Sequence, residues 1–300
     1  LNFILNSILF KTNTKTFRYE EEKWLIIKAC FKIIHTIIID YEPLVDGANL
    51  KGPFNIFTQT LQEDKLFRFI TFNLEEIAEL TESSFDNPTL EKPLKLMQKT
   101  AAYGLKILNC ICEKQNHFIQ MLHNISGFPL ATIVKLDTIF SNVNPRNGLN
   151  DRLTTLVRLI LQTDSVSIQA INLLTNLVKN NSEIPVHLLM QLQVLNSKHL
   201  TENALFNLFV DCIESRVFDL RISTLNLILS CLQCAFGNVQ YNFAHKILGF
   251  DKKLSINEPG TMGQVYSCFH SILGFFDSNC DVSELISERE LGMKIIYTLC

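Results

Sequence analysis

The chain has 300 residues, is 47% hydrophobic and 19% charged, and carries a formal net charge of -3. This balance excludes a disordered or collagen-like chain and leaves no basic footprint for nucleic acid. A single core stops growing at roughly 250–300 residues, so two domains or an elongated stack are the alternatives.

The chain opens on LNFILNSILF, which starts at Leu1 as though already inside a helix. It lacks the basic region and the small-residue cleavage site of a signal peptide. The last residues, GMKIIYTLC, stop in mid-helix with no cap. The expectation is one continuous helical segment, 1–300, belonging to the interior of a longer chain.

The stretch RYEEEKWLIIKACFKIIHTIIIDYEP, Arg18 to Pro43, has the apolar density of a membrane span. A span needs about 20 mostly apolar residues with few charges. Lys28 and Lys32 interrupt this one near its middle, and each costs about 3 kcal/mol or more at a bilayer centre. Trp24, Ile27, Phe31, Ile34 and Ile38 recur at helical spacing, and the two lysines sit one turn apart on another stripe. Glu20, Glu21 and Glu22 favour the positive end of the helix dipole, and Pro43 stops the helix. The stretch reads as a soluble helix with a broad buried face, Trp24 as a packing anchor and His35 as a structural residue.

Pro53 marks the next helix start. Helical patterns follow over 62–80, 90–114, 116–125, 130–141, 149–163, 166–180, 184–195, 201–215, 218–236, 239–248, 263–276 and 285–299. Breakers separate them: DNP at 86–88, NPRNG at 144–148, NNS at 180–182 and NEPG at 257–260. Connections this short predict antiparallel neighbours, and little of the chain reads as strand. In 166–180, Val166, Ile168, Ile171, Leu173, Leu174, Leu177 and Val178 make so broad an apolar face that two sides need cover. Stacked helix pairs supply that cover, while no clean repeat period is present. The expected fold class is all-α, an irregular HEAT/ARM-like α-solenoid of stacked antiparallel helix pairs.

Nine cysteines form no framework and read as reduced thiols of a cytosolic or nuclear protein. CLQC, Cys231 to Cys234, has the spacing of half a zinc site or a redox pair. No second CxxC and no HxxxH completes a site, and the pair falls late in a helix, so core packing is the better reading. Cys110 and Cys112 point to different helix faces. The seven histidines do not cluster, and His35, His117 and His123 read as capping or interior residues. Walker, GxGxxG, GxSxG and HExxH motifs are absent. GTMG and LGF are too bare to cradle phosphate, and Lys252 with Lys253 reads as a solvated pair. No catalytic, cofactor-binding or metal-ligating residue is therefore expected, and no cofactor. Phe54, Phe57, Leu61, Leu66, Phe67, Phe69, Ile70 and Phe72 form an aromatic-dense run. It reads as inter-helix core, with a groove for a partner's helix or short motif as the alternative.

Four stretches, in order along nearly the whole chain, resemble one family. They are EKWLIIKACFKIIHTIIIDYEP (Glu22 to Pro43), VNPRNGLNDRLTTLVRLILQTDSVSIQAINLLTNLV (Val143 to Val178), STLNLILSCLQC with YNFAHKILGFD (within Ser223 to Asp251), and INEPGTMGQVYSCFHSIL (Ile256 to Leu273). The chain is similar to the nucleoporin-205 family of large inner-ring scaffold nucleoporins, which includes fungal nucleoporin-192 and, more distantly, nucleoporin-188. The resemblance implies a structural, non-enzymatic constituent of the nuclear pore complex inner ring that supports nucleocytoplasmic transport. It implies other nucleoporins as partners, notably linker segments of the nucleoporin-93 and nucleoporin-35/53 types. It also implies a place at the nuclear envelope without membrane insertion and without direct nucleic-acid binding. No partner-binding residue carries over to this segment. The residues alone leave a second reading open, a soluble HEAT-repeat adaptor or nuclear transport receptor.

Overall fold

The computed structural model of the chain describes residues 1–83, 91–125, 127–142, 150–198, 202–234, 241–250, 267–277 and 285–299. Among them every regular element is helical. In chain order these are α1 (Glu20–Ile39), α2 (Pro43–Asp46), α3 (Lys51–Leu61), α4 (Lys65–Ser83), α5 (Glu91–His123), α6 (Leu136–Ser141) and α7 (Asp151–Ile160). There follow α8 (Asp164–Asn180), α9 (Ile184–Lys198), α10 (Glu202–Glu214), α11 (Phe218–Gln233), α12 (Phe243–Ile247), α13 (Cys268–Gly274) and α14 (Ile286–Leu299). The opening residues form a π-type turn, Ile4–Ile8, and a 3-10 turn, Leu9–Thr14, rather than one α-helix. The described residues fall into two compact units, 1–139 with 157–173, and 140–156 with 174–300. Each is an all-α stack of helices packed pair upon pair, the arrangement of an α-solenoid.

In the first unit, α1 begins with Glu20, Glu21 and Glu22 in its first turn and buries Trp24, Ile27, Phe31, Ile34 and Ile38. It ends at Ile39, and Pro43 then opens α2 at the helix position proline favours. The turn between α3 and α4 places Glu63 at φ 51, in the left-handed region. α1 lies antiparallel to α4: Lys23 pairs with Glu76 at 3.0 Å, and Phe31 meets Phe69 at 6.2 Å. Its most extensive partner is α5, and the two run parallel. The Thr100 hydroxyl donates to the Trp24 carbonyl, Phe31 lies against Gly104, and the Cys110 thiol donates to the Ile38 carbonyl. A parallel partner one layer away is what stacking of successive helix pairs produces.

The 33-residue α5 replaces two helices expected over 90–114 and 116–125. The helix runs unbroken through the polar stretch Glu113 to His117. Gln115 is fully buried; its Nε2 donates to Asp137 at 2.9 Å and its Oε1 accepts the Leu136 N–H at 2.8 Å. The glutamine thus satisfies the start of α6, where orphan N–H groups need partners. The pattern over 130–141 is likewise split, into a 3-10 turn at Leu130–Thr132 and α6.

In the second unit, Asn150 caps α7 by accepting the Leu153 N–H at 3.0 Å. α11 is buried almost all round from Leu220 to Leu232. It is covered by α10, α12 and α14, which meets the need of a broadly apolar helix for cover on more than one side. Asn242 and His245 form a reciprocal capping box at the start of α12. The Asn242 amide also donates to the Cys231 carbonyl at 2.8 Å. The breakers at 86–88, 144–148 and 257–260 and the pair Lys252 and Lys253 lie outside the described residues.

Candidate functional site

The buried surfaces of the first unit leave one face of the α1/α5 pair open. Tyr103 of α5 meets His35 of α1 edge-on at 6.4 Å, and the Lys106 ammonium lies 5.4 Å from the Tyr103 ring centre. Helical spacing puts Lys28 and Lys32 on the His35 stripe and Lys99 on the Tyr103 and Lys106 stripe. Because the helices are parallel, the two stripes run side by side along the solvent edge of the seam. Lys32 and Lys99 are exposed, and Lys28 and Lys106 half-buried. No acidic residue occurs between Lys23 and Ile39 of α1 or between Lys95 and Cys112 of α5. Leu25 and Ile39, 50% and 48% exposed, lie on the same α1 stripe. Burial, with the Lys106 charge adding to it, lowers the His35 pKa, so His35 favours the neutral form.

Lys28 and Lys32 were legible as a stripe on one helix. Lys99, Tyr103 and Lys106 lie on a second helix that no local pattern aligns with the first. The signal available was the run without a carboxylate over 95–112.

The sequence candidates for chemistry lie elsewhere and apart. Cys231 is fully buried in α11, and Cys234 follows at its end, donating to the Val178 carbonyl at 3.4 Å. Burial raises both thiol pKa values, which keeps them protonated and poor as nucleophiles or ligands. Cys110 and Cys112 are both buried and make different contacts, to the Ile38 carbonyl and to Gln115. Among the described residues no three His, Cys, Asp or Glu side chains gather as a metal site. His117 and His123, expected to be capping or interior residues, are exposed on α5. The capping role belongs instead to His245, and His270 pairs through Nδ1 with Ser267 at the start of α13, at 3.0 Å.

The phenylalanine run is core rather than groove, apart from one member. Phe57 packs on Tyr41 at 5.5 Å and Phe118 at 4.9 Å, and Phe54 on Phe118 and Phe128. Phe72 alone of the run points outward, 53% exposed. Trp24 of α1 is fully buried, with Lys23 4.8 Å above its ring. Among the described residues no helix is long and apolar enough to cross a membrane.

Comparison with known proteins places this helical chain in a family. The chain is 23% identical to the nuclear pore complex protein Nup205 of Homo sapiens, over all of its own length and 17% of that protein. It is also 23% identical to Nup205 of Drosophila melanogaster, over 72% of the chain and 10% of that protein. The chain thus spans under a fifth of the length of either relative. The model of the family described as nuclear pore complex scaffold, nucleoporins 186/192/205, matches residues 1–300, and the chain belongs to that family.

Proposed function

We propose that the chain is a structural segment of the nuclear pore complex scaffold, placed in the inner ring at the nuclear envelope. There it holds linker nucleoporins and supports nucleocytoplasmic transport. The family match over residues 1–300 carries the reading. The stacked all-α units support it, because solenoids offer long surfaces to short segments of other chains. The partners are other nucleoporins, with linker segments of the nucleoporin-93 and nucleoporin-35/53 types foremost. The work is mechanical: several weak dockings on one rigid chain add up to stable assembly. Catalysis has no part in it.

The test is the behaviour of the tagged full-length protein in living cells. A stable rim at the nuclear envelope, with slow recovery after photobleaching, is the expected outcome. Free cycling through the nucleus would favour a transport receptor or adaptor and overturn the scaffold role.

A further inference from the structure

We propose that the seam between α1 and α5 is a docking site for an acidic, apolar-containing segment of another protein. This deepens the scaffold reading and rests on it, since it assigns a site and a chemistry to one of the dockings. Four lysines from two helices, Lys28 and Lys32 with Lys99 and Lys106, border one seam, and neither helix carries an acidic residue along it. Lys28, Lys32 and Lys99 form no ion pair among the described residues, unlike Lys23 with Glu76 on the opposite side of α1. A row of unpaired like charges is held at a cost that a ligand of opposite charge removes. Leu25 and Ile39 add exposed apolar surface on the same stripe. The occupant therefore combines carboxylates with aliphatic side chains.

The seam favours a segment over an anionic bilayer. The fifteen residues from Leu25 to Ile39 rise about 21 Å along a helix, which an extended peptide covers in about seven residues. The basic character is local to this line. The chain as a whole carries -3, and that charge opposes adsorption to a broad anionic sheet.

The test uses the 300-residue chain and a fluorescein-labelled peptide of about eight residues, alternating glutamate and leucine, read by anisotropy. Binding that weakens with added salt is expected. The variant Lys28→Glu/Lys32→Glu/Lys99→Glu should weaken it about ten-fold or more, from three lost charge contacts. A control with the same charge change on exposed lysines away from the seam, Lys11→Glu/Lys15→Glu/Lys65→Glu, should leave affinity nearly intact. Circular dichroism checks both folds, and if the glutamate variant is misfolded, Lys28→Gln/Lys32→Gln/Lys99→Gln takes its place. No peptide binding, or equal loss in both variants, overturns the proposal. So does seam-dependent binding of phosphatidylserine vesicles or of oligothymidine in place of the peptide. A nuclear rim that persists alongside a negative peptide result refutes the seam while leaving the scaffold role standing. Loss of the rim in the unmodified protein refutes the scaffold role itself.

Discussion

Arg221 closes two guanidinium nitrogens on a single oxygen of Glu288, with Nε at 2.9 Å and Nη2 at 2.6 Å from Oε1. Glu288 is fully buried, and its Oε2 has no hydrogen-bond partner. Nη1 of the same arginine donates to the Ser215 carbonyl at 2.7 Å, so one side chain ties α14 to α11 and to the end of α10. Removing one member of a buried pair strands the other charge. Arg221→Met is expected to cost about 3–5 kcal/mol, and Arg221→Met/Glu288→Leu much less, because the second change removes the stranded carboxylate. Hydrogen exchange of the α11 and α14 amides reads this locally, which matters because a chain of two units need not unfold in one transition.

Lys114 performs a similar task in the first unit. Its ammonium donates to the Ile39 carbonyl at 2.6 Å and the Tyr41 carbonyl at 2.8 Å. These carbonyls lie at the negative end of α1, where a cation is favourable. Lys114→Met is expected to destabilise the α1 end by about 2 kcal/mol, the scale of a hydrogen bond to a charged group. The expected signature is faster amide exchange near Ile38 to Tyr41 with α4 unaffected.

The helices that sequence periodicity places best are those whose identity is local. The patterns over 166–180, 201–215 and 285–299 match α8, α10 and α14 within two residues at either end. Of the α8 face, Val166, Ile171, Leu173, Leu174, Leu177 and Val178 are buried and only Ile168 is half-exposed. The misplaced break in α5 depends on Gln115 reaching a helix start some twenty residues later, a pairing no window reveals. The same limit hid the seam. Lys28 and Lys32 show their spacing within one helix, but their alignment with Lys99 and Lys106 follows from the parallel course of α5. Parallel neighbours are set by the helices that intervene in the chain, here α2 to α4, and not by a short connection.

Gly104 sits where α5 comes closest to α1. A Cβ there would lie 3.2 Å from Phe31 Cε2 and 3.5 Å from Ile70 Cγ2. Alanine brings a helix-propensity gain of about 1 kcal/mol against a contact that a small shift of the Phe31 ring relieves, so Gly104→Ala should be near neutral. Gly104→Val puts two methyl groups more than alanine into a packed site and should cost about 1–3 kcal/mol. Urea unfolding of both variants, followed by signals from the first unit such as the emission of Trp24, separates these outcomes. Equal destabilisation by alanine and valine would mean that the helices cannot separate even slightly.

Alkaline pH should loosen the first unit. Burial pushes the Cys110 thiol from 9.0 up to about 11 and the Tyr41 phenol from 10.0 up to about 12. The folded state therefore holds protons that the unfolded chain releases. The Cys110 contribution is full below pH 9, declines above it, and is gone beyond about pH 11. For Tyr41 the window runs from 10.0 to about 12. A two-unit shift corresponds to about 3 kcal/mol, so stability should fall steeply across this range. Cys110→Ser and Tyr41→Phe remove the titrating groups, and each should flatten its own part of the profile even if it lowers stability at neutral pH. On the acid side the sign reverses. Burial lowers the His35 and His245 pKa values, so their contributions are present above about pH 6.5 and are lost as pH falls through the lowered folded values. Equilibrium unfolding at intervals across both ranges checks the slopes, and an alkaline slope unchanged in Cys110→Ser/Tyr41→Phe would place the titrating groups elsewhere.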